Sequence, residues 1–155
     1  MYTTYTVEEA TKRMERYCAY QERCHKEVRE KLMELRMIPN VIDVIIHHLI
    51  QENYLNETRF AQAFARGKFK NKQWGKNRIV RELKFREISS YNIKIALREI
   101  PEKDYLETFD QLVDKRLRQL EGEQSLPKKK KKLADYLFYR GWEPALVWDV
   151  IHNLN

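Results

Sequence analysis

Leu137-Phe138-Tyr139-Arg140-Gly141-Trp142-Glu143-Pro144-Ala145-Leu146-Val147-Trp148-Asp149-Val150-Ile151-His152-Asn153-Leu154 decides the fold, because its apolar anchors occur twice more in the chain at the same spacing. Those anchors are Leu137, Trp142, Val147, Val150, Ile151 and Leu154, separated by steps of 5, 5, 3, 1 and 3 residues. Leu83, Ile88, Ile93, Ala96, Leu97 and Ile100 repeat them, as do Leu32, Met37, Ile42, Ile45, Ile46 and Leu49. The copies are offset by 51 and 54 residues. The last four positions of each set form the i, i+3, i+4, i+7 stripe of an amphipathic helix. A pattern shared by three segments marks an internal repeat.

Working outward, Ile38-Pro39, Ser89-Ser90 and Glu143-Pro144 precede the three closing helices. Proline is tolerated in the first helical turn, where no intrahelical N–H partner is needed, and Ser89 is a good N-cap. A second amphipathic run lies before each anchor leucine, as in Lys26 to Leu32 and Asn77 to Leu83, and a third lies before that. Each copy is therefore helix–helix–helix, and the opening helices are expected near Val7 to Tyr20, Glu57 to Asn71 and Lys103 to Glu121. The expected fold is all-α: three tandem three-helix repeats, residues 1–53, 54–101 and 102–155, in an elongated, curved array. Units of about fifty residues bury too little surface to stand alone, so neighbours should share interfaces. Asn53-Tyr54-Leu55-Asn56 and Glu99-Ile100-Pro101-Glu102 are the expected joints.

Composition agrees. Four glycines and four prolines in 155 residues leave little for the turns of an all-β fold, and 43% hydrophobic residues are enough to order the helices despite 34% charged ones. The N-terminus lacks a basic start followed by an apolar run, and the stretch Val41 to Ile50 is too short to span a bilayer, so a cytoplasmic protein with no membrane contact is expected. Cys18 and Cys24 are better read as small buried side chains than as metal ligands.

Charge is concentrated in the middle copy. From Arg59 to Arg86 ten cations (Arg59, Arg66, Lys68, Lys70, Lys72, Lys76, Arg78, Arg81, Lys84 and Arg86) face Glu82 alone, a net +9. The whole chain carries +7, so the remainder sums to −2. Arg59, Arg66, Lys68, Lys70, Lys72, Lys76, Arg78 and Arg81 are the candidate contacts to an anionic partner. Phe69 and Trp74 lie among them and suit either base stacking or packing in the core. A second basic run, Lys128, Lys129, Lys130, Lys131 and Lys132, sits at a helix start, where cations oppose the helix dipole, and is a possible additional contact. No phosphate loop, nucleophilic arrangement or metal-ligand cluster is present in the sequence. The expectation is a binding protein with no cofactor, no metal and no catalytic residue.

Tyr54-Leu55-Asn56-Glu57-Thr58-Arg59-Phe60-Ala61 resembles the signature that opens the second repeat of the RecX family, bacterial regulators of the RecA recombinase. Gly75-Lys76-Asn77-Arg78-Ile79 with Glu82-Leu83, and Lys132-Leu133, Tyr136-Leu137 and Arg140-Gly141-Trp142, extend the resemblance over nearly the whole chain. Glu57 stands where the family usually has Asp, Asn53 where glycine is common, and Arg86-Glu87-Ile88 replaces a Lys-Gly-Ile turn. The first repeat matches more weakly, around Cys24-His25. The resemblance implies a monomer that binds the RecA–DNA filament in its helical groove and suppresses strand exchange, ATP hydrolysis and co-protease activity. Non-specific binding to single- or double-stranded DNA is the alternative. Sequence-specific reading is disfavoured, because the closing helices offer few polar side chains for base edges.

Overall fold

The structure, a computed structural model, describes residues 3–155. Nine helices and no strand occur among the described residues: α1 (Val7–Tyr20), α2 (His25–Glu34), α3 (Pro39–Gln51), α4 (Glu57–Lys72), α5 (Lys76–Phe85), α6 (Ser90–Leu97), α7 (Glu102–Gln119), α8 (Leu126–Tyr139) and α9 (Pro144–His152). They group in threes, as the repeat requires, and the opening helices begin and end within two residues of the expected positions.

The helix ends follow local chemistry. Thr6 and Glu9 close a capping box on α1, with the Glu9 amide donating to Thr6 Oγ1 at 3.1 Å and the Thr6 amide donating to Glu9 Oε1 at 3.0 Å. Pro39 and Pro144 begin α3 and α9, and Ser89 caps α6 by accepting from the Asn92 amide at 3.1 Å.

The first five-residue step of the frame has a specific cause. In each copy the middle helix ends in a residue of positive φ: Arg36 (62°), Glu87 (61°) and Gly141 (88°). The next amide then donates back to the anchor leucine's carbonyl: Met37 to Leu32 at 3.0 Å, Ile88 to Leu83 at 3.1 Å and Trp142 to Leu137 at 3.2 Å. This is a Schellman termination, in which the residue after the left-handed position packs on the third residue from the helix end. Glu87 thus keeps the turn although it replaces a glycine, and Arg36 does likewise. Each non-glycine residue there carries a steric cost of about 1 kcal/mol.

Burial divides the three copies unequally. Ala10, Met14, Val28, Leu32, Ile45 and Leu49 belong to one core, confined to α1–α3 and Leu55. The second and third copies share another, which runs from Phe60 and Ile79 through Tyr105 and Phe109 to Trp142 and Val147. The longer opening helix of the third copy supplies Tyr105, Phe109, Leu112 and Val113 to this shared core. Trp142, 1% exposed, lies 4.5 Å from the Tyr105 ring and 5.2 Å from the Phe109 ring, centroid to centroid.

Two glycines let these copies meet backbone to backbone. The Gly75 amide donates to the Arg140 carbonyl at 2.8 Å and the Asn77 amide to the Gly141 carbonyl at 3.0 Å. A Cβ on Gly75 would fall 2.5 Å from the Gly141 oxygen and 2.6 Å from Trp142 Cα, so no larger residue fits without displacing backbone. The two segments Gly75-Lys76-Asn77-Arg78 and Arg140-Gly141-Trp142 are therefore the two halves of one contact. No helix is long and apolar enough to cross a membrane among the described residues.

Candidate functional site

The cations of the middle copy sort into two groups. One group is engaged inside the protein. Arg59 Nε donates to both oxygens of Glu22 at 2.7 and 2.8 Å, and the same guanidinium donates to the Asn53 carbonyl at 3.0 Å. It ties the first copy to the second, alongside His25 with Glu57 (3.4 Å) and Lys26 Nζ donating to the Phe85 carbonyl (2.9 Å). Arg66, itself exposed, pairs with Glu99, which links α4 to the turn after α6. Arg78 lies over the Trp74 ring at 4.2 Å and the Tyr139 ring at 4.8 Å, and donates to the Tyr139 carbonyl at 3.2 Å. Lys76 uses its amide to donate to Tyr105 Oη at 2.8 Å, and its Nζ lies 4.6 Å over that ring and 3.4 Å from Glu102. Burial, then the hydrogen bond to Glu143, pushes the Tyr105 hydroxyl well above its ordinary value, so it stays protonated as a donor.

The other group faces solvent. Lys70, Lys72, Arg81 and Lys84 are exposed and take part in no salt bridge among the described residues. Lys68 is intermediate: its Nζ lies over the Trp74 ring at 5.2 Å and the Phe64 ring at 5.5 Å, with the charge still facing outward from half-buried aromatics. Phe69 and Trp74 are packed against the shared core, with Phe69 5.9 Å from Tyr105, so they serve the joint between copies. Of the two roles their sequence context allows, core packing and base stacking, both rings take the first.

The lysine run lies on the first turns of α8. The Lys128 amide donates to the Ser125 cap, Lys131 pairs with Asp135 at 2.8 Å and Lys132 with Glu123 at 2.8 Å. The Lys132 hydrogen bond holds the Glu123 carboxyl below its ordinary value. Lys128, Lys129 and Lys130 take part in no salt bridge among the described residues. Cys18 and Cys24 are buried and unbridged, and burial pushes their thiols up to about 11 and about 12. No group of three or more metal-ligating side chains occurs among the described residues.

Comparison with known proteins bears on the family and the fold. A family model described as the second three-helix domain of RecX matches residues 56–97, and one described as the third three-helix domain of RecX matches residues 102–151. Together they span more than half of the chain. The regulatory protein RecX of Bacillus velezensis is 32% identical over 128 residues, covering 83% of this chain and 45% of that protein. That of Streptococcus uberis is 30% identical over 146 residues, covering 90% of this chain and 53% of its own length. The chain thus spans about half the length of the curated relatives it matches. In fold it is similar to the crystal structure of RecX from Lactobacillus salivarius, with a TM-score of 0.78 at 24% identity, covering 94% of this chain and 93% of that one. A second crystal structure, of a regulatory protein RecX, gives a TM-score of 0.82 at 21% identity, covering 96% of this chain and 73% of that one.

Proposed function

Because the chain belongs to the RecX family of regulatory proteins, we propose that it binds the filament formed by the RecA recombinase on DNA and lowers its recombinase, ATPase and co-protease activities. The observation that carries this reading is the division of the middle copy's cations. Arg59, Arg66, Lys76 and Arg78 hold the helices in place, which fixes the exposed Lys70, Lys72, Arg81 and Lys84 on a rigid support. Exposed cations that hold no carboxylate suit an acidic protein surface or a phosphodiester backbone, because no side-chain pair has to break before docking. The action is steric and electrostatic, carried out in the cytoplasm by a monomer, with no cofactor and no bond made or broken.

Co-sedimentation with RecA filaments on single-stranded DNA tests it. The triple reversal Lys70→Glu, Lys72→Glu and Arg81→Glu is expected to weaken binding and flatten its dependence on salt. Unchanged binding with unchanged salt dependence rejects the role of this surface. The same exposed cations also favour a second reading, non-specific attachment to DNA alone, which predicts equal binding to naked strands and to filaments.

A further inference from the structure

The first copy, which neither family model covers, carries a basic groove of its own. It lies between α1 and α2, has a volume of about 590 Å³, and is lined by Arg13, Arg16, Tyr17, Tyr20, Arg23 and Lys31, with Glu34 as its one carboxylate. Glu34 is 3.4 Å from Lys31, so that pair is internally compensated. Arg13, Arg16 and Arg23 take part in no salt bridge among the described residues. Arg23 is fixed: its guanidinium lies 3.7 Å over the Tyr17 ring, and its Nε donates to the Tyr17 carbonyl at 3.0 Å. Tyr20, beside it, is 82% exposed, with the Arg23 guanidinium 5.9 Å from its ring and most of the ring open to a stacking base.

We propose that this groove binds a single strand of nucleic acid, with phosphodiester groups on Arg13, Arg16 and Arg23 and a base stacked on Tyr20. Guanidinium groups match phosphate oxygens in pairs, and an exposed tyrosine accepts any base face. A strand fits better than a free nucleotide because the surface continues. Gln21 and Glu22 follow Tyr20 directly and line a second hollow with Phe60, Ala63 and Phe64. Arg59 neutralises Glu22 there, so the path is not anionic. Beyond it, Arg86 and Lys68 lie over the Phe64 ring at 4.8 and 5.5 Å, which leads into the basic middle copy. The site is defined on a bare strand and does not rest on the recombinase reading.

Fluorescence anisotropy of a labelled oligothymidylate with the full chain, at several salt concentrations, tests the proposal. Arg13→Glu with Arg16→Glu is expected to weaken binding about tenfold or more and to lower the slope of log affinity on log salt by about 1.4, at about 0.7 per phosphate contact. Tyr20→Ala is expected to weaken binding about tenfold with the slope unchanged, through lost stacking. Lys12→Glu with Lys115→Glu alters net charge equally outside the groove and is the control. If the groove variants bind as the control does, the proposal fails. Equal displacement of the oligonucleotide by thymidine monophosphate assigns the groove to free nucleotides, and equal displacement by polyglutamate assigns it to an acidic protein surface. Either result overturns the strand. Should the double arginine variant lose its circular dichroism, Tyr20→Ala decides alone, because its ring makes little contact with the fold. Filament binding by the same variants is read separately, so failure here leaves the function proposed above standing.

Discussion

Replacing Gly75 with alanine should destabilise the protein although its backbone angles suit alanine. Gly75 has φ −77° and ψ 169°, an extended conformation open to any residue. Reduced freedom of the unfolded chain would by itself stabilise the alanine variant by about 0.4–1 kcal/mol. The contact geometry outweighs this. The added methyl would sit 2.5 Å from the Gly141 carbonyl oxygen, 2.6 Å from its carbon and 2.6 Å from Trp142 Cα. All three are backbone atoms, so relief requires parting the second copy from the third. That stretches the Gly75 to Arg140 and Asn77 to Gly141 hydrogen bonds and disturbs the packing of Trp142. Overpacking of this kind costs roughly 1–3 kcal/mol, and a chain of this size loses about 2–4 °C in Tm per kcal/mol. Gly67→Ala is the matched comparison, because Gly67 lies inside α4 with nothing within 4 Å of an added Cβ. It should stabilise by roughly 0.5–1 kcal/mol. Both variants can be followed by urea unfolding with Trp fluorescence. If Gly75→Ala matches or exceeds the wild type, the close approach of the two copies is wrong.

Other outcomes follow from the same contacts. Glu87→Gly should raise stability by about 1 kcal/mol, since Glu87 holds a left-handed φ at a Schellman turn; a loss in chemical denaturation would contradict that geometry. Arg59→Ala should cost about 1–2 kcal/mol, and a double-mutant cycle with Glu22→Gln should show coupling of about 0.5 kcal/mol or more, read from urea midpoints. Cys18 and Cys24 should resist Ellman's reagent at pH 8 in the native protein and react once it is unfolded. Because folding raises both thiol values to about 11 and about 12, the unfolded chain loses these protons first, and stability should decline as pH climbs above about 9.

The repeat frame was legible because helix periodicity is a property of sequence neighbours. Leu32, Leu83 and Leu137 are all fully buried, and Ile42, Ile93 and Val147 follow them inside. Met37, Leu97, Val150 and Leu154 are only half-buried, packed against the edges of their cores. What periodicity could not express was the pairing of distant backbones. Gly75 and Gly141 each read as a helix boundary, and nothing local says that they touch. For the same reason the sequence displayed ten cations as one set, whereas the structure engages Arg59, Arg66 and Arg78 with Glu22, Glu99 and Tyr139 from other elements. The motif Tyr54 to Ala61 carried a hint, since it starts in the joint Asn53 to Asn56 and places Arg59 in the first turn of α4, directly after it. The groove of the first copy does not show as a charge run because its arginines alternate with acids along the chain; the spacing of Arg13, Arg16 and Tyr20 puts them on one face of α1, and only the fold adds Arg23 and Lys31.

In the function proposed above, the exposed cations of the middle copy meet a RecA–DNA filament and thereby restrain it. The most direct measurement is RecA ATP hydrolysis on single-stranded DNA with this protein added below stoichiometry, beside the Lys70→Glu, Lys72→Glu, Arg81→Glu variant. Hydrolysis should fall with the wild-type chain and recover with the variant, the difference narrowing as salt rises. Full hydrolysis at every ratio of the wild-type chain would contradict it.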